Sequence, residues 1–260
     1  MNNIVIIASE LAIITGDNKY EPLKKVIDSV LNRSGLIHKY IAKSKTEEQL
    51  LLLNETELKH IKEELKIDSS SSLKDVEKMI EKQVLVKSLN ENISEEQSKG
   101  KVESAIKDKP VLSKCLGTNI KQDLMMKRGN LKENKNLDKT QIKKNITINN
   151  RNAKLYEKTL YTNGDEKYNV ILRGKVDGMS GDCVVETKNR SRRLFNMIPA
   201  YEKVQLNAYM FLVEKEKSIH IECYNETQNE TEYDFDIVLW NTYLEKIIQF
   251  TNDNIVCHLK

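Results

Sequence analysis

The sequence GKVDG at positions 174–178, followed shortly by VVETK at positions 184–188, decides the fold of this 260-residue chain. Residues 168–176 and 183–188 are rich in Val, Ile and Leu and predict two strands. The sequence MSGD at 179–182 supplies residues that are typical of a turn. We therefore expect the two strands to pair with each other across this turn.

Two acidic residues and a lysine fall within this predicted hairpin. Asp177 lies at the end of the first strand and Glu186 within the second, so their carboxylates can converge. Glu186 and Lys188 are two residues apart and leave the same face of a strand. Carboxylates of this kind bind Mg²⁺ or Mn²⁺ together with phosphate oxygens, and Lys188 can orient or deprotonate the attacking water. An ordinary surface hairpin with a Glu–Lys pair is the alternative.

A cationic cluster follows the second strand. Arg190, Arg192 and Arg193 come directly after Lys188 and Asn189. Guanidinium groups at this place are suited to the phosphates of a nucleic-acid backbone. These three arginines are therefore candidate DNA contacts.

The sequence PAYEKVQLNAYMFLV at 199–213 predicts a helix with one apolar face. Gln205 and Tyr209 are four residues apart and share one stripe of this helix. Gln205 can position water or phosphate beside the metal, and Tyr209 can contact a sugar or stack on a base. The alternative is a plain amphipathic helix in which Gln205 faces solvent.

The order V-D-G, E-T-K and Q-x-x-x-Y resembles the PD-(D/E)XK nuclease superfamily, and within it the branch of RecB-type nucleases, lambda exonuclease and YqaJ-like viral recombinases. The opening IASELAIITGDNKY at 7–20 resembles the start of the YqaJ-like enzymes. This resemblance implies an α+β (α/β) fold: a restriction-endonuclease-like core with a central mixed sheet flanked by helices, plus an N-terminal helical extension. It also implies that Ser9 lies near a DNA phosphate.

One position departs from the pattern of the family. Its members usually carry G-x-x-x-E on the helix before the sheet, whereas this chain has Gly117 followed four residues later by Lys121. A charged lysine has no lone pair with which to bind a metal. Asp123 is one substitute after a shift of register. The other is a site built from Asp177, Glu186 and the backbone carbonyl of Thr187.

Amphipathic patterns divide the chain into two regions. Residues 22–34, 45–67 and 73–88 have apolar residues at helical spacing. They predict an N-terminal helical region over residues 1–110 that packs on a nuclease core over residues 111–260. A helical module that binds a partner protein is the alternative for this first region.

Charge and cysteine content narrow the function classes. The net charge is only +3, but residues 114–154 hold 11 Lys or Arg against 3 Asp or Glu, which favours binding to a phosphate backbone. A solvated basic face or a flexible loop rich in Lys and Asn, particularly over residues 129–145, is equally consistent with this segment. Four widely spaced cysteines without C-x-x-C indicate that no iron–sulfur cluster is bound.

The start of the chain lacks the basic region of a signal peptide, and no stretch resembles a membrane span. We therefore expect a soluble intracellular protein without membrane association, in the cytoplasm or nucleus of an infected host cell if it is viral.

The resemblance predicts a Mg²⁺- or Mn²⁺-dependent DNA exonuclease, which hydrolyses phosphodiester bonds at the ends of linear double-stranded DNA for viral recombination, replication or repair. A single-strand annealing protein and further copies of the chain are the implied partners besides DNA. One alternative is a RecB-type nuclease that acts on single-stranded DNA or flaps. The other is a catalytically inactive DNA-binding module, for which Lys121 is the sequence hint.

Overall fold

The structure is a computed structural model that describes residues 2–90, 92–165, 167–225 and 227–259. It contains two compact units. We call Met1–Ile41 together with Lys135–Lys260 the sheet unit, and Ala42–Asn134 the helical unit. The start of the chain belongs to the sheet unit because its strand pairs with one strand from the second half of the chain.

The strands of the sheet unit form two mixed sheets, so the predicted α+β class with helices beside mixed sheets is confirmed. The first sheet has the order β1-β3-β2, with β1 parallel and β2 antiparallel to β3. The second has the order β4-β5-β6-β7, with β5 and β6 parallel. The strands are β1 (Asn2–Ile7), β2 (Tyr156–Asn163), β3 (Tyr168–Gly174), β4 (Gly178–Ser180), β5 (Cys183–Asn189), β6 (Lys217–Tyr224) and β7 (Thr227–Asp234).

The expected pairing of β3 with β5 is wrong. The chain leaves the first sheet after Gly174 and enters the second at Gly178, where β4 pairs with β5 in an antiparallel hairpin. Gly181, with a φ of 55°, supports the tight turn of this hairpin, since glycine tolerates the left-handed region. Asp177 therefore lies in the segment that joins the two sheets.

All the regular secondary structure described in the helical unit is helical, and helices also flank the strands of the sheet unit. Asn54 caps one helix in a reciprocal capping box with Glu57, which splits the helix predicted over 45–67 into two. Residues 129–145, considered above as a flexible loop, are mostly helical. The helices are α1 (Leu11–Ile14), α2 (Leu23–Arg33), α3 (Lys45–Leu50), α4 (Glu55–Leu65), α5 (Leu73–Ile80), α6 (Val86–Ser88), α7 (Glu95–Ile106), α8 (Pro110–Lys144), α9 (Ala200–Val213) and α10 (Ile237–Asn254).

Each unit has its own hydrophobic core. In the helical unit, apolar residues from Leu50 to Leu124 form one buried cluster. In the sheet unit, α9 supplies more buried residues to the largest cluster than any other element, and β1, β3, α1, α2 and α10 supply most of the others. Among the described residues, no helix is both long enough and apolar enough to cross a membrane.

Helix α9 is held tightly within the sheet unit. Val204, Leu206, Ala208 and Met210 are all fully buried, so apolar contacts surround most of the helix. At Gly174, a Cβ atom would lie 2.9 Å from both the Tyr209 and Leu212 side chains. Only glycine allows this close approach of β3 to α9. The helix therefore holds its side chains in fixed positions beside the strands.

Candidate active site

Asp177 is fixed at the junction between the two sheets. Its carboxylate oxygen Oδ2 accepts a hydrogen bond of 2.7 Å from the backbone N–H of Thr187 on β5. The next residue, Gly178, packs so closely on Ile148 that a Cβ atom would lie 2.5 Å from the Ile148 side chain. The glycine of the V-D-G motif is thus required by packing, and it places Asp177 beside the middle of β5.

Along β5, the backbone N–H and C=O groups of successive residues point alternately toward β6 and toward the edge where Asp177 lies. The backbone N–H of Arg190 donates to the Cys223 carbonyl at 2.8 Å, which directs every second residue of β5 toward β6. Thr187 belongs to the other set, and its N–H and C=O both point to the edge where Asp177 lies. The Thr187 carbonyl therefore faces the same space as the Asp177 carboxylate.

The side chains of Glu186 and Lys188 leave the same face of β5 and meet α9. Lys188 Nζ donates to Glu186 Oε1 at 2.6 Å and to Gln205 Oε1 at 2.9 Å. The Gln205 amide nitrogen Nε2 in turn donates to the Tyr209 hydroxyl at 2.8 Å. A continuous hydrogen-bond chain thus runs from β5 to α9, and Gln205 is directed into it rather than toward solvent.

The Glu186 carboxylate is buried without full compensation for its charge. Burial raises its pKa to about 8, the Lys188 ammonium opposes the shift, and Asp177 adds to it. Burial by itself would lower the pKa of Lys188. The neighbouring Glu186 carboxylate has a larger opposite effect, so the pKa of the ammonium is raised. Lys188 is therefore a charged hydrogen-bond donor at neutral pH, which favours orienting the water over deprotonating it.

One oxygen of Glu186 accepts no hydrogen bond. Among the buried polar side-chain atoms that the structure describes, only Glu186 Oε2 and Thr187 Oγ1 lack a hydrogen-bond partner. An unsatisfied buried acceptor is costly, more so when it belongs to a carboxylate. Nothing in the structure accounts for the Thr187 hydroxyl, which leaves the opposite face of β5. For Glu186 Oε2, a bound cation would remove the cost.

Tyr209 does not fit its predicted role as a DNA contact. Its side chain is only 6% exposed, and its ring packs against Gly174. A base cannot stack on a ring that is enclosed in this way. The position of Tyr209 instead suits a support for the Gln205 amide.

Arg190 also departs from its predicted role as a phosphate contact. Its guanidinium donates two hydrogen bonds to Glu202, of 2.6 and 2.7 Å, and bonds Glu222 through Nε at 2.6 Å and through a second nitrogen. It also lies over the Phe195 ring, with 4.4 Å between the guanidinium carbon and the ring centroid. These contacts occupy the guanidinium, so Arg190 fastens the end of β5 to α9 and β6.

His220 completes this second cluster, which sequence reasoning did not identify. Its Nε2 lies 2.8 Å from Glu202 Oε2. Burial opposes ionisation of Glu202, but hydrogen bonds from His220 and Arg190 prevail and lower the pKa of Glu202 to about 2. Glu202, His220 and Glu222 have the side-chain atoms to bind a metal, with ligand atoms within 4.8 Å of one another. Because Arg190 already neutralises both carboxylates, a cation would bind there only after displacing the guanidinium.

The remaining candidate contacts lie on the surface. Ser9 is exposed in the short turn that follows β1, and Arg192 and Arg193 are exposed after β5. Their role in DNA binding stays a prediction. Within the basic segment 114–154, several cations form ion pairs; the pairs within one unit include Lys121 with Glu103, Lys127 with Glu81, Lys143 with Glu230 and Arg151 with Asp138.

Asp123 does not replace the missing glutamate of the family. Its oxygens accept hydrogen bonds from the backbone N–H groups of Lys45 and Thr46, at 2.8 and 2.9 Å, at the start of α3. It is thus a buried cap within the helical unit. Lys121, in the same unit, donates to Glu103 at 2.6 Å.

A second G-x-x-x-E spacing lies further along α8, where Gly129 is followed four residues later by Glu133. Both of these residues belong to the helical unit. In the sheet unit, Asn136 donates its side-chain amide to Asn189 Oδ1 at 2.8 Å.

Comparison with known proteins gives distant structural similarities. No protein-family model matches the chain, and no curated protein matches it. The alkaline exonuclease LHK-Exo from Laribacter hongkongensis is similar with a TM-score of 0.39 and 13% identity, covering 51% of this chain and 70% of that chain. The protein SSO0001 gives 0.39 and 16%, covering 61% and 70%. LHK-Exo in complex with dAMP gives 0.38 and 12%, covering 51% and 69%. These similarities are weak, so the case for a function rests on the side chains described above.

Proposed function

We propose that this chain is a divalent-metal-dependent deoxyribonuclease that hydrolyses phosphodiester bonds at the ends of linear double-stranded DNA. The observation that carries the proposal is the unsatisfied, buried carboxylate of Glu186, which lies beside Asp177 and is bonded to Lys188. A purely structural Glu–Lys pair would be expected to satisfy both carboxylate oxygens. A buried acid with an open oxygen is instead typical of a site that receives a ligand.

The donor set suits Mg²⁺ or Mn²⁺. Asp177, Glu186 and the backbone carbonyl of Thr187 offer only oxygen ligands, which hard divalent cations prefer. These three residues would hold the cation at the β5 edge. When bound, it supplies charge neutralisation for a phosphate and lowers the pKa of bound water.

The other residues of the cluster orient the reactants. Lys188 uses two hydrogen bonds within the protein, to Glu186 and Gln205, and an ammonium group has three donors. Its third N–H is available in this proposal for the attacking water or a phosphate oxygen. Gln205 fixes the direction of the ammonium, and Tyr209 fixes the amide of Gln205.

The choice of duplex DNA ends rests on the sequence resemblance and on the exposed groups near the site. Ser9, Arg192 and Arg193 are solvent-accessible and suited to phosphates. A role in viral recombination, an annealing partner and assembly into oligomers are implied by the resemblance alone. Single-stranded DNA or flaps as the substrate, and a DNA-binding module without catalysis, are the outcomes against which the proposal is tested.

The test is hydrolysis of DNA labelled at the 5′ or 3′ end. Linear duplex, single-stranded and circular DNA are compared with and without Mg²⁺. We expect Mg²⁺-dependent degradation of linear duplex only. Lys188→Ala should abolish it, whereas Lys217→Ala, which removes an exposed lysine at the start of β6, should leave it unchanged. Undiminished hydrolysis by Lys188→Ala refutes the mechanism, and equal loss in both variants refutes the assignment of Lys188.

A further inference from the structure

Tyr20 is the most exposed large hydrophobic residue among those that the structure describes. Its side chain is 87% exposed, and it follows α1 in the sheet unit. The turn that carries it is anchored, because Asn18 N–H donates to the Ala12 carbonyl at 2.7 Å and Tyr20 N–H donates to Asn18 Oδ1 at 2.9 Å. A large aromatic ring is thus presented to solvent from an ordered backbone.

Tyr20 contacts the ring of Tyr201 from one edge. The two ring centroids are 6.5 Å apart and the ring planes meet at 89°. This geometry is favourable for an aromatic pair, and it uses an edge of one ring rather than its flat face. Because Tyr20 is so exposed, a flat face of the pair remains accessible to another planar group.

The aromatic pair lies next to the hydrolytic cluster. Tyr201 precedes Gln205 by four residues on α9, so the two side chains share one stripe of the helix and are about 6 Å apart along its axis. Tyr201 also lies close to Arg190, whose positive charge opposes the rise that burial causes in the pKa of the Tyr201 hydroxyl, and Arg190 is two residues beyond Lys188 on the chain. Tyr201 therefore lies about one helical turn from Gln205, which we assign to the side of the scissile phosphate together with Lys188.

We propose that Tyr20 and Tyr201 form a stacking platform for the nucleobase adjacent to the scissile phosphate. The inference rests on the proposed function and names a contact that it does not contain. A nucleobase is planar and has an aromatic face whatever its identity, so stacking would hold the DNA without selecting a sequence. Exposed Arg192 and Arg193 would contact the backbone of the same strand. The platform would keep the phosphate in place between Lys188 and the carboxylates.

The experiment measures DNA binding without hydrolysis. Fluorescence anisotropy in EDTA, at one fixed salt concentration, compares normal DNA ends with ends in which the terminal or penultimate nucleotide is abasic. We expect Tyr20→Ala to weaken binding to normal ends about tenfold and to leave binding to abasic ends unchanged. Tyr20→Phe keeps the ring and should bind as the unmodified protein does. Tyr40→Ala, which removes another exposed tyrosine of the sheet unit, is the matched control.

A second readout reports stacking directly. The fluorescence of 2-aminopurine at the same position should be quenched by the unmodified protein and by Tyr20→Phe, but not by Tyr20→Ala. Equal weakening of normal and abasic ends by Tyr20→Ala, or no weakening of either, overturns the proposal. Because binding is measured in EDTA, this result is independent of whether Mg²⁺-dependent hydrolysis occurs, so failure of the platform and failure of the proposed nuclease activity are distinguishable.

Discussion

The affinity of the site for a divalent cation should depend steeply on pH. Glu186 has a pKa raised to about 8, chiefly by burial, and only its ionised form can bind a cation. Below that pH, binding must displace the carboxyl proton, which makes the affinity about tenfold weaker for each pH unit. At pH 6 the affinity should be about 100-fold below its plateau near pH 10, a difference of about 2.7 kcal/mol. Above pH 8 the dependence should level off.

Isothermal titration calorimetry with Mn²⁺, in pairs of buffers with different ionisation enthalpies, measures both the affinity and the number of protons released. We expect release of about 0.9 proton at pH 7 and about 0.1 at pH 9. Glu186→Gln should bind Mn²⁺ weakly and release no proton. Glu202 stays ionised across this range because its pKa is about 2, so it cannot produce the same signal. An affinity that does not change between pH 6 and pH 9 would refute the assignment of Glu186 as the ligand.

Four further predictions concern stability, DNA binding and positioning. In EDTA, the free energy of unfolding should fall as the pH rises from about 4.5 to about 8, because the folded state holds the proton of Glu186 more tightly than the unfolded chain does. The loss of stability is at most about 5 kcal/mol. Urea titrations of Glu186→Gln should no longer show this dependence on pH. Arg190→Met removes the guanidinium that pairs with the buried carboxylates of Glu202 and Glu222, and should cost about 3–5 kcal/mol of stability in the same assay. Arg192→Ala and Arg193→Ala should leave the stability unchanged and each lower the salt dependence of DNA binding, measured as log Kd against log salt, by about one unit of slope. Tyr209→Phe should lower kcat about fivefold with an unchanged Kd for DNA, since it removes one hydrogen bond from Gln205; a weakened Kd would favour a direct DNA contact instead.

Local patterns predicted the elements of the site well. The apolar run of β5 and the helical spacing of α9 matched the structure to within one or two residues. The alternation of a strand also placed Glu186 and Lys188 on one face, and the four-residue spacing placed Gln205 and Tyr209 together. These features depend only on the geometry of one strand or one helix, so a single sequence contains them.

Long-range pairing was not accessible in the same way. One of the two partners of β3 is β1, from the first residues of the chain, and nothing in the local sequence selects it over the nearer β5. The buried environment of Arg190 could not be predicted from the sequence for the same reason. Glu202 and Glu222, which neutralise it, come from α9 and β6, and a run of arginines does not reveal which member is buried.

The two acidic clusters of the sheet unit explain why a cation is expected at one and not at the other. Glu202 and Glu222 are paired by Arg190 and, for Glu202, by His220; the pKa of Glu202 falls to about 2. Glu186 is equally buried, but Lys188 satisfies only one of its oxygens, and its pKa rises to about 8. Strand β5 carries Glu186 and Lys188, and Arg190 follows directly after it. The hydrogen bonds of Arg190 to Glu202 and Glu222 therefore fix the backbone that carries Glu186. At Glu186 a bound cation would supply the missing positive charge, whereas at Glu202 the guanidinium already supplies it.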